Sequence, residues 1–268
     1  MSPELLFWYG LALKMAMTAA IVVIVLVAVE RSGPFLGALI ASLPTATGAA
    51  YIILAIEHPA SFIAASAVGS IAIGAAVSIF AATYAVLARR HGLALSVGLA
   101  TVLWFAVAAA LRLIEWTPLS AMALNAAVLT VTIPLSWRYR TSSSPPKVSR
   151  TALDIPLRAL TAAIVVAIVT TASYSIGSFA SGMFAVFPIV LCSSIVILHP
   201  RVGGKAAASV LAHAQVALIG LWLGFVAVYY LAIPVGAWWA LAIGLLVCIA
   251  WSGLLWVIHA RKQAAAHI

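Results

Sequence analysis

The chain has 268 residues, 66% of them hydrophobic and only 7% charged, with a mean hydropathy of +1.22, whereas a soluble domain is about 25% charged. This excludes an ordinary soluble enzyme, and nine bilayer crossings of about 24 residues each would leave no room for a soluble domain. The formal charge of +9 reads as a topology signal rather than a nucleic-acid footprint, so no nucleic-acid partner is expected.

Apolar runs bounded by charge, Gly or Pro predict helices at 5–29, 34–56, 60–88, 92–114, 117–137, 155–176, 178–198, 206–231 and 235–258. The expected fold is therefore an all-α polytopic membrane protein of about nine transmembrane helices. The first run is too long for a signal-peptide core and lacks a basic flank, so it is expected to stay as a membrane helix. Cys192 and Cys248 both lie inside apolar runs and offer neither a disulfide framework nor a CxxC metal site. One polar, Pro-rich linker, from Arg140 to Arg150, separates five predicted helices from four. The predicted organisation is residues 1–137, a cytoplasmic linker at 138–154, and residues 155–268.

With the N-terminus outside, the inner loops hold 11 of the 14 basic residues, among them Arg31, Arg89, Arg90, Arg138, Arg201 and Lys205. The outer loops hold essentially none. This asymmetry predicts N-out, C-in in a cell inner membrane.

Sliding the sequence on itself by 144 residues lays 13–54 over 157–198 without a gap, with 12 identities in 42 positions. Gly33 falls on Gly177, Phe35 on Phe179, Ala41 on Ala185 and Pro44 on Pro188, while Lys14 falls on Arg158. Because five helices precede the second copy, it would enter the membrane from the opposite side, as an inverted-topology repeat. Chance similarity between two apolar helices is the alternative. The shared pattern, G-x-F-x5-A-x-x-P, resembles a Pro-containing helix in GlpM-like small bacterial membrane proteins. That resemblance covers two helices of nine. It implies a duplicated version of such a unit and supplies no substrate.

Pro44 and Pro188 fall near the middles of the second and seventh predicted helices, where proline removes a donor and clashes with the preceding turn. Two broken helices would aim the positive ends of their second halves at the protein centre, an arrangement suited to an anion; simple kinks are the alternative. Thr45, Thr47 and Tyr51 follow the first proline and Ser193 and Ser194 the second. These hydroxyls can meet a ligand or bond their own backbone. Lys14, roughly 13 Å into the first helix, is an intramembrane cation or a snorkelling one. Arg158 either joins it beside a central anion or pairs with Asp154 one turn earlier. His213, Gln215 and Asn125 are candidates for proton coupling or polar lining, with interhelical hydrogen bonding as the plainer role. Gly220 and Gly224 offer a possible homodimer face or internal packing.

No phosphate loop, HExxH, GxSxG or acid–base carboxylate pair occurs, so neither an enzyme, a cofactor nor ATP-driven transport is expected. The sequence-level expectation is a secondary transporter or facilitator for a small anion. A passive channel and a lipid-handling protein are the alternatives.

Overall fold

The computed structural model describes residues 2–31, 44–139 and 154–266, and among these every regular element is a helix. In chain order they are α1 (Pro3–Arg31), α2 (Thr45–Glu57), α3 (Ala60–Leu87), α4 (Leu93–Leu111), α5 (Pro118–Trp137), α6 (Asp154–Ala185), α7 (Ile189–Val235) and α8 (Ala237–Ala266). Seven are long and apolar enough to cross a membrane, α2 being apolar but only 13 residues long. The chain is thus a multi-pass membrane protein by length and composition. Gly33, Gly37, Ala41 and most of the linker lie outside the described residues.

Eight helices are described, and their ends and breaks differ from the apolar runs; the expected helix at 34–56 is described only from Thr45 on. Residues 178–198 do not form one continuous helix: α6 stops at Ala185, and α7 starts at Ile189. α6 and α7 each carry one glycine in the left-handed region, Gly177 (φ 78°) and Gly203 (φ 82°). A Cβ would strain that backbone, so glycine is what permits the chain to turn there without a loop. α5 has a conventional start. Thr117 and Ser120 cap each other's backbone, and Pro118 takes the first helical position, where no N–H is needed.

α3 is the spine. It is apolar on every face, as a helix enclosed by others must be, and it packs against α4, α5, α6 and α7. Small residues let it approach its neighbours at backbone distance. A Cβ on Gly69 would collide with the Phe179 carbonyl, and one on Gly182 with the Ser66 carbonyl. At the same crossing Ser70 donates to the Gly182 carbonyl at 2.8 Å, and its oxygen lies 2.6 Å from the Tyr51 hydroxyl. One serine thus joins α2, α3 and α6.

α7 and α8 form a second close pair. Gly220 faces the Trp251 ring, Gly224 faces Gly244, and the Trp251 indole donates to the Val216 carbonyl at 2.9 Å. The expected homodimer face at Gly220 and Gly224 is therefore covered by the chain's own α8. Trp8, Trp137, Trp238, Trp239 and Trp256 are exposed, as interfacial rings should be, whereas Trp104 and Trp222 are core residues.

Gly182→Val should lower the melting temperature of the purified chain markedly, because overpacking a tight crossing costs about 1–3 kcal/mol or more. Gly98→Ala, where a Cβ meets nothing within 4 Å, should leave it unchanged.

Candidate functional site

Pro44 and Pro188 stand at equivalent places in their local structures. Each is the residue before a helix, with φ −76° and ψ 70° at Pro44 and φ −75° and ψ 45° at Pro188. Each carbonyl accepts the first bond of its helix, from Gly48 at 2.6 Å and Cys192 at 2.8 Å. Proline has no N–H to leave unpaired, which suits it to a helix start away from water. Before Pro188 the chain is non-helical over Val186 and Phe187, and the Phe187 ring is fixed edge-on by Trp104 of α4 at 5.0 Å.

The two helix starts meet. A cavity of about 210 Å³ is lined by Pro44, Thr45 and Thr47 from one and by Phe187, Pro188 and Val190 from the other, with Val77, Leu218 and Leu221 as walls. A notch of about 30 Å³ shares Thr45 and Val190 with it and adds Arg158, Thr161 and Ser193. A third cavity, of about 290 Å³, continues from Pro44 and Thr47 past Tyr51 and Phe225 to Trp238 and Leu245 of α8. Most of this space is bounded by apolar side chains. Among the described residues that line it, the cation is Arg158, at the notch.

Away from the cavity, both helices are anchored at their far ends. From Thr45 to Glu57 and from Ile189 to Arg201 the chain advances twelve positions each, roughly 18 Å of helix. At the α2 end, Glu57 pairs with Lys14 of α1 at 2.7 Å, and His58 lies 2.7 Å from the Ser173 hydroxyl of α6. The His58 ring stacks on Phe62 at 3.7 Å. At the other end, Arg201 donates twice to Asp154 of α6, each bond 2.8 Å, and His199 lies 2.8 Å from the Tyr84 hydroxyl of α3. His58 adjoins the start of α3 and Tyr84 lies near its finish. The two anchored ends are therefore separated by roughly 36 Å of helix, about a bilayer core apart.

Several sequence expectations change on this geometry. Lys14 is not a cation beside the prolines; it is half-buried against Glu57, a helix length from Pro44, where its charge is balanced. Arg158 does reach the meeting point, while the Asp154 carboxylate is held by Arg201, a partner the sequence reading missed. Thr45 and Thr47 line the cavity, but Ser193 and Ser194 both donate to the Val190 carbonyl of their own helix, at 3.1 and 2.7 Å. Tyr51 offers its ring to the cavity and its hydroxyl to Ser70.

His213 is exposed, with its ring nitrogen 2.8 Å from the Ser209 carbonyl one turn back, and so is not a cavity residue. Asn125 donates to the carbonyls of Ile71 and Ala121, and Gln215 donates to Ser136 at 2.8 Å. Both are buried fasteners between helices. Among the described residues no three His, Cys, Asp or Glu side chains cluster so as to hold a metal ion. The Glu57, His58, Ser173 and Arg201 contacts were not readable as contacts, although each residue ends an apolar run or lies within a turn of one that does.

Compared with known proteins, the chain matches no protein-family model, no curated protein and no solved structure.

His58 lies in the connector between α2 and α3. Burial pushes its imidazole below the ordinary 6.5, with Glu57 pulling it up and Lys14 pushing it down. The folded chain therefore favours the neutral ring, so its contribution to stability is complete above the unfolded value and is lost as pH falls through the lowered one. Melting temperature should fall on acidification below about pH 6.5, and His58→Gln should make that fall shallower.

Proposed function

We propose that the chain is a secondary transporter or facilitator that moves a small anionic substrate across a bacterial-type inner membrane. Its nine crossings would form two inverted-topology repeats, with the N-terminus outside and the C-terminus inside. On this reading the second crossing ends in α2, the seventh is broken at Pro188, and the turns at Gly177 and Gly203 separate crossings six, seven and eight. Lengths of 32 and 47 residues support dividing α6 and α7, since about 20 residues already span the hydrocarbon core. The resemblance to GlpM-like proteins fits the same duplicated unit.

One observation carries the reading: the first turns of two proline-capped helices face one cavity, with Arg158 beside them. Unpaired N–H groups and the positive end of the dipole at each helix start favour a negative ligand. A site between two structurally equivalent half-helices is also what rocking of one repeat against the other requires. The anchored ends supply the second requirement, since each has one ion pair and one histidine–hydroxyl contact able to form and break in turn.

A lipid-handling role is the second reading, favoured by the cavity that runs to exposed Trp238 and Leu245 on α8. A lipid substrate would co-purify with the protein, and its transfer would need no aqueous anion.

In proteoliposomes, Pro44→Ala and Pro188→Ala should each reduce saturable anion flux by an order of magnitude while leaving expression and folding largely intact. Normal flux in both variants would remove the broken-helix mechanism.

A further inference from the structure

Charge is out of balance where α3 and α5 finish. Arg89 lies just past the end of α3 and Arg138 just past the end of α5, and their guanidiniums stand 5.1 and 4.9 Å from the centre of the same ring, that of Tyr139. The two charges are therefore at most about 10 Å apart, close enough to repel across roughly one Debye length. Arg90 is the next residue along. Lys205 follows Gly204, which packs so closely on the end of α3 that a Cβ would collide with the Ala88 carbonyl. Tyr139 is buried, while all four cations are exposed.

Among the described residues none of the four has a carboxylate partner. Of the chain's five acidic residues, Glu57 pairs with Lys14, and Asp154 accepts from Arg201 on both oxygens. Glu115 precedes α5, at the opposite end of that helix from Arg138, and Glu4 and Glu30 belong to α1, which packs on α2 and α6. Residues 140–153 contain no acid. A helix C-terminus offsets a cation only by a partial charge, so the cluster keeps a net positive charge that an external anion would balance.

The surface beside the cluster indicates what carries that anion. Val131 and Leu135 lie seven and three positions before Arg138, on the same face of α5, and they are 65% and 41% exposed. Trp137 is exposed next to them, as a ring at a membrane–water boundary is. Free phosphate would meet the charges and leave the apolar strip bare, whereas a phospholipid meets both.

We propose that Arg89 and Arg138 together hold the phosphate of an anionic phospholipid, with an acyl chain lying on Val131 and Leu135. A phosphate takes charge-assisted hydrogen bonds from two guanidiniums at once. Arg90 and Lys205 add positive potential, which favours a headgroup of net negative charge over a zwitterionic one. Because the cluster draws on three helices, a bound lipid ties the ends of α3 and α5 to α7 at Lys205. The site is independent of what the cavity at Pro44 and Pro188 carries.

The test is thermal unfolding of the full chain in phosphatidylcholine nanodiscs with a rising fraction of phosphatidylglycerol. Glycerol phosphate and inorganic phosphate, added to discs of phosphatidylcholine alone, present the headgroup chemistry without the chains. Melting temperature should rise with phosphatidylglycerol and saturate, because a ligand of the folded state stabilises it. A double variant, Arg89→Gln with Arg138→Gln, should melt as the parent does without phosphatidylglycerol and bind that lipid at least about tenfold more weakly. Arg89→Lys should keep part of the rise. Arg112→Gln, which removes one charge near the opposite end of α5, should respond as the parent does. Native mass spectrometry of the parent needs no variant: one phosphatidylglycerol should stay on the chain under conditions that strip phosphatidylcholine.

An equal rise in the parent and the double variant overturns the site, as does a loss in Arg112→Gln as large as that in the double variant. Phosphatidylglycerol and phosphatidylcholine stripped together from the parent also overturn it. A rise produced as fully by glycerol phosphate or inorganic phosphate overturns the lipid as its occupant.

Discussion

Inside a membrane each backbone N–H or C=O without a partner costs several kcal/mol, so irregular chain at that depth persists only where protein or a cavity surrounds it. The stretch from Val186 to Pro188 is irregular chain between two apolar helices, and neighbouring helices enclose it. Phe187 is held by Trp104, the preceding segment is pressed on α3 through Gly182 and Ser66, and Ile189 donates to the Phe187 carbonyl at 2.7 Å. Proline at the helix start leaves one donor fewer to satisfy. α3, with its glycines, serines and alanines, is the surface against which the segment before the break is built, while α2 packs mainly on α6 and α1.

From that constraint follows the distribution of charge. The cavity between the helix starts is largely apolar apart from Arg158 at its notch, and two ion pairs lie where the half-helices finish. Lys14 with Glu57 and Asp154 with Arg201 are both partly exposed pairs, and at such positions an ion pair contributes only modestly to stability. Their interest is positional. Each joins a half-helix to a long neighbour, while His58 and His199 join the same ends to α6 and α3. On the proposed reading these are the contacts that would exchange as one end opens and the other closes.

The helical architecture was legible because it rests on composition and run length, which membrane burial reads directly. Pro44 and Pro188 stand out in the sequence as prolines within apolar runs, and in the structure each is the residue before a helix. Which polar residue meets which was not legible, since Glu57 and Lys14 are 43 positions apart in the sequence and Asp154 and Arg201 are 47 apart. The alignment of Lys14 with Arg158 illustrates the gap. Residues 18–23 and 161–166 share the sequence Thr-Ala-Ala-Ile-Val-Val at an offset of 143, one less than the offset that matches the prolines. In the structure Thr18 donates to the Lys14 carbonyl and Thr161 to that of Leu157, each at 2.9 Å. In that register Lys14 corresponds to Leu157 rather than Arg158, in keeping with their different surroundings. His213, chosen for its chemistry, is exposed on α7, and its position in the sequence does not mark which face of the helix meets the cavity.

The central claim is that the starts of α2 and of α7 face each other across one cavity. It is tested most directly by replacing Thr45 and Val190 with cysteine in a background carrying Cys192→Ser and Cys248→Ser, then treating membranes with a short bifunctional thiol reagent. The account predicts rapid intramolecular cross-linking of that pair and none between cysteines at positions 45 and 201. Cross-linking absent at 45 and 190 in a folded protein, or equal at 45 and 201, would contradict it.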